Sequence, residues 1–71
     1  MERRVYCHDV LTAIWEAGLT AQFEAWADLR YPDLPTYIHV LETISTGKGG
    51  MRYLYDMIKS GEFKTMISEN S

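Results

Sequence analysis

The 71-residue chain carries one cysteine, two histidines and a formal net charge of −3. A chain this short holds one domain, 1–71, and buries only about 60% of the surface that its unfolded form exposes. Cys7 has no partner for an internal disulfide and no Cys/His cluster suits a structural zinc, so stability has to come from close helix packing or from self-association.

The chain divides into short, aromatic-rich apolar segments, each closed by a helix breaker. The first runs from about Arg4 to Ala17. Tyr6, Val10, Ile14 and Ala17 recur at spacings of three and four, with Cys7, Leu11 and Trp15 on an adjoining stripe. Gly18 follows, the natural residue for a left-handed C-terminal turn.

The second segment takes Thr20 as its N-cap, with Glu24 near the first turn. Phe23, Trp26, Ala27 and Arg30 share one side. Tyr31-Pro32-Asp33 stops it, because the residue before a proline is pushed out of helical geometry.

The third segment opens with Asp33 as N-cap and Pro35 in the first turn. Tyr37, Leu41 and Ile44 line up, with Ile38 and Val40 beside them, and Gly47 ends the helix. The fourth begins near Gly50 and carries two stripes, Met51-Leu54-Tyr55-Ile58 and Tyr53-Met57, as expected for a helix at the centre of a core or at an interface. Ser60-Gly61 ends it. Residues 62 to 67 read either as a final helical turn or as a short extended piece, and the C-terminal tail as frayed. The expected fold is all-α: about four short helices, bundle-like or orthogonal, with no strands.

From His8 to Gly47 there are six acids against one base, Arg30; from Lys48 to Lys64 there are four bases against Asp56 and Glu62. Such asymmetry can set the orientation of a partner or of a second copy. No secretory core and no run of about 18 apolar residues occurs, so the chain is expected to be soluble and cytoplasmic, without a membrane.

Little in the chain points to catalysis. In Cys7-His8-Asp9, neighbours on a helix point about 100° apart and do not form a relay. His39 and Glu42 stand three apart, but a metal needs three or four such ligands. Thr46-Gly47-Lys48-Gly49-Gly50 lacks the spacing and the preceding strand of a phosphate-binding loop. No enzyme activity, catalytic residue, cofactor or metal is expected.

A helix-turn-helix reading meets difficulties too. Around Gly18 the second helix would present Glu24 and Asp28 to phosphates. Around Gly47 it would present Arg52, Asp56 and Lys59 from a strongly apolar helix after a loose turn. Nucleic acid binding by a dimeric regulator is therefore the alternative, not the leading reading.

Nine aromatic residues carry the strongest functional signal. Trp and Tyr dominate binding hot spots because they bury large rigid areas and keep a polar tip. Trp15 and Phe23 read as core. Tyr53 and Tyr55 cannot both face one core, so at least one belongs on an edge or an interface. The expected partner-binding residues are Trp26, Arg30 and Tyr31 on the second helix and Arg52, Tyr53, Tyr55 and Asp56 on the fourth, with Asp28 on the rim. The expected function is a small protein-binding regulator or inhibitor of the kind that mobile genetic elements encode. It would act by stoichiometric contact with a larger protein or complex and also form homo-oligomers.

Overall fold

A computed structural model describes residues 4–47 and 49–69. Five helices, rather than about four, make up the described fold: α1 (Cys7–Glu16), α2 (Thr20–Arg30), α3 (Tyr37–Thr46), α4 (Met51–Ser60) and α5 (Glu62–Glu69). Among the described residues there is no strand.

Each junction follows from local chemistry. The Asp9 carboxylate accepts from the Tyr6 N–H at 2.9 Å and sits in the positive first turn of α1. At the other end Gly18 adopts φ +73°. The Leu19 N–H reaches back to the Ile14 carbonyl and the Gly18 N–H to that of Trp15, both at 3.0 Å. This is the paired closure of a glycine-terminated helix, with Ile14 and Leu19 both buried beneath it.

Leu19, not Thr20, is the N-cap of α2: its carbonyl accepts from the Phe23 N–H at 2.8 Å, and Thr20 is already helical. The reversal at Gly18 leads straight into the next helix and leaves no residue for a separate cap. The α3 cap also moves, from Asp33 to Thr36, whose hydroxyl accepts from the His39 N–H at 3.2 Å. Residues 31–34 close a turn of their own (Leu34 N–H to the Tyr31 carbonyl, 3.2 Å), which places Pro35 ahead of the cap.

The α3–α4 turn relies on Gly49 and Gly50, both at positive φ; their N–H groups donate to the Ser45 carbonyl at 3.1 and 2.8 Å. Gly61, at φ +93°, caps α4 in the left-handed region, and α5 begins at the next residue.

That last helix resolves residues 62–67 as helical and carries on over the first two residues expected to fray. Ser68 and Glu69 are helical, and Phe63 and Ile67 are buried core residues; Asn70 and Ser71 lie outside the described residues. A single hydrophobic core runs through all five helices. Helix α4 lies against α1, α3 and α5, whereas α2 lies against α1, α3 and α5 but not against α4. Phe23 is the meeting point, with its ring 5.7 Å from Phe63, 5.8 Å from Tyr37 and 6.3 Å from Trp26.

Trp15 also departs from expectation. It is 72% exposed, because the α1 residues that turn inward are Val10, Ala13 and Ile14. Ala17, expected on the apolar face, is exposed as well.

Candidate interaction surface

The residues singled out for partner contact fall into two groups that the fold does not bring together, since α2 and α4 do not pack on one another. The first group closes α2. Trp26 is only 5% exposed and belongs to the core, so it is not a protruding anchor. The Arg30 guanidinium lies 5.8 Å from the centroid of its ring, and the Tyr31 ring meets it edge-on at 5.8 Å. The indole Nε1 is buried without a hydrogen-bond partner. A buried, unpaired donor costs about 1–3 kcal/mol, which the ring's apolar contacts have to offset.

Beside Trp26, helices α2 and α5 leave an apolar groove of about 310 Å³ lined by Gln22, Ala25, Trp26, Leu29, Ile67 and Ser68. Leu29 stands at this groove and is 69% exposed. Leu29 lies outside the α2 stripe of Phe23, Trp26, Ala27 and Arg30 that periodicity marks. The available signal was its position three residues after Trp26, which puts both side chains on neighbouring parts of one face.

The second group lies on α4. Tyr53 is 42% exposed and Tyr55 is half-buried against the core, with the Lys59 ammonium 5.3 Å from the Tyr55 ring centroid. Of the two tyrosines, Tyr53 is thus the more exposed. Arg52 pairs with Asp56 at 3.3 Å across one turn. At such exposure the pair is worth little to stability, but it holds the guanidinium along the helix.

The remaining candidates have structural roles. Cys7 is half-buried; burial first, and the Glu42 charge second, push its thiol up in pKa, away from a reactive thiolate. Asp9 serves the α1 cap and stands 3.5 Å from His8 Nε2, while the His8 ring stacks on Tyr6. His39 Nδ1 lies 2.7 Å from the Thr36 hydroxyl at the α3 cap. Among the described residues no group of three or more His, Cys, Asp or Glu side chains could hold a metal. The N–H groups of Gly49 and Gly50 are turned back onto α3 and are not presented to an anion; Lys48, which the phosphate-loop reading would need, lies outside the described residues.

Among the described residues no helix is long and apolar enough to cross a membrane. Comparison with known proteins finds no matching family model, no similar curated protein and no similar solved structure.

Proposed function

We propose that this chain is a small cytoplasmic protein-binding regulator or inhibitor that acts by stoichiometric contact with a larger protein or complex and also associates with itself. One observation carries the reading. The α2–α5 groove presents a mostly apolar lining with Leu29 standing open beside it, outside the buried core of the fold. Large apolar side chains beside a concave apolar surface favour protein contact, because burying Leu29 in a partner removes its surface from water without disturbing the core. Arg30, over the Trp26 ring, supplies a charge to set register, and Tyr53 with the Arg52–Asp56 pair offers a second, independent contact face on α4.

Light scattering across a dilution series, repeated with Leu29→Glu, tests this. The expected outcome is association of the native chain that Leu29→Glu abolishes while its circular dichroism stays helical. A native chain that stays monomeric overturns the self-association, and the groove then stands only if Leu29→Glu loses capture of the larger partner. A Leu29→Glu variant that alters neither mass nor capture overturns the assignment of the groove.

A further inference from the structure

Where α2 turns into α3, the chain folds around a second cavity, of about 200 Å³, whose wall includes Asp28, Tyr31, Pro32, Thr36 and Tyr37. Its character differs from that of the groove, because several features here make the potential negative. Among the described residues no cation lies within ion-pair reach of the Asp28 carboxylate, which accepts instead from the Tyr37 hydroxyl at 3.0 Å. Position 32 is proline, so the Asp28 carbonyl finds no N–H four residues along the chain, and the negative end of the α2 dipole stays open at this point. The Tyr37 hydroxyl registers the same field. Its pKa is raised, first by the hydrogen bond to Asp28, then by burial and by the charges of Asp28 and Glu24.

Two aromatic rings complete the wall. The Tyr31 ring is held edge-on against Trp26 and the Tyr37 ring against Phe23, both at 5.8 Å. Rings fixed in this way lose little further freedom when they receive a ligand.

We propose that this cavity is a binding site for a cationic side chain, an arginine guanidinium presented by the protein partner. A guanidinium suits it better than an ammonium: the planar fork matches a carboxylate, the flat face stacks on tyrosine rings, and its hydration is weaker and so easier to shed. Asp28 accepts the fork and the tyrosines cover the faces. Leu29, the next residue, stands at the groove on the α2–α5 side. A partner segment carrying an apolar residue close to an arginine would therefore engage the last turn of α2 from both sides. The inference rests on the protein-binding reading for the source of the guanidinium, whereas the chemistry of the cavity stands on its own.

The test titrates the full chain with N-acetyl-arginine methylamide and follows backbone amide resonances by NMR. The neutral isostere N-acetyl-citrulline methylamide serves as control. Saturable shifts centred on Asp28, Tyr31 and Tyr37 are expected with the arginine compound alone. Asp28→Asn should weaken binding by about tenfold or more, since it removes a charge-assisted contact and keeps the shape. Tyr37→Phe should bind as well as the native chain or better, because it frees the carboxylate from an internal donor and leaves the ring. Leu29→Gln, which alters the groove without adding a charge beside Asp28, should leave this titration unchanged, so that failure of the groove and failure of the cavity are distinguishable. Equal binding of the citrulline compound, an Asp28→Asn variant with unaltered affinity, or no saturable shift in the native chain overturns the proposal.

Discussion

The Tyr37 hydroxyl donates to Asp28 Oδ1 at 3.0 Å and so ties the first residue of α3 to the last turn of α2. The bond spans a connection that contains two prolines and its own internal turn. It also sets the protonation behaviour of the phenol. An anionic Tyr37 would face the Asp28 carboxylate at hydrogen-bond distance, so the neutral form is favoured.

Tyr37 is expected to ionise above the ordinary tyrosine value of 10.0. The sign follows from linkage: with the folded-state pKa raised, the contribution to stability is fully present below about pH 10 and is lost as pH rises through the folded value. Ultraviolet titration of the native chain against Asp28→Asn checks this. The variant should move tyrosine ionisation to lower pH, and coincident curves would show that Asp28 exerts no such control.

Phe63→Ala is expected to cost about 3–5 kcal/mol, the usual range for emptying a buried aromatic position. Phe63 is fully buried against Phe23 in α5. Since a small domain is stable by only about 5–15 kcal/mol in all, urea denaturation should show a severe loss or no folded baseline. A change under 1 kcal/mol would mean that α5 docks only loosely.

The two tryptophans should separate cleanly in fluorescence. In Trp26→Phe the remaining Trp15 should emit at long wavelength and be readily quenched by iodide; in Trp15→Phe the remaining Trp26 should be blue-shifted and protected. Trp26→Ala is expected to destabilise by about 3–5 kcal/mol, whereas Trp26→Phe should cost much less, because it deletes the unpaired indole donor while keeping an aromatic ring. Similar losses for both Trp26 variants would show that the indole donor carries no penalty.

At Gly61 a Cβ would meet nothing within 4 Å, so only the backbone angle, φ +93°, opposes a side chain there. Gly61→Ala should therefore cost about 1–2 kcal/mol. D-alanine at the same position, introduced by chemical synthesis, should stabilise by about 0.4–1 kcal/mol through the unfolded chain alone. Thermal melts of the two diastereomers decide it, and equal melting temperatures would contradict the left-handed cap.

The sequence by itself determined the first four helices and most of their ends. Apolar spacing of three and four marks α1 to α4 without reference to any neighbour, and Gly18 and Gly61 mark reversals because a left-handed backbone angle is a local matter. Caps were less legible: Asp33 and Thr36 are both sound N-caps, and only the turn at residues 31–34 selects Thr36. Helix α5 was ambiguous because eight residues with two core positions cannot hold a helix alone; Phe63 and Ile67 are helical because the core receives them.

Only the tertiary structure decided which aromatic faces water. Trp15 and Trp26 both lie on apolar stripes. Periodicity names a stripe but not the element that covers it, and the rotation of α1 about its axis leaves Trp15 outside while Trp26 closes the core. The same holds for the candidate sites. Leu29 becomes a groove residue through the approach of α5 from the far end of the chain, and Asp28 with Tyr37 wall a cavity because α3 folds back on the end of α2; neither contact follows from the periodicity of one helix.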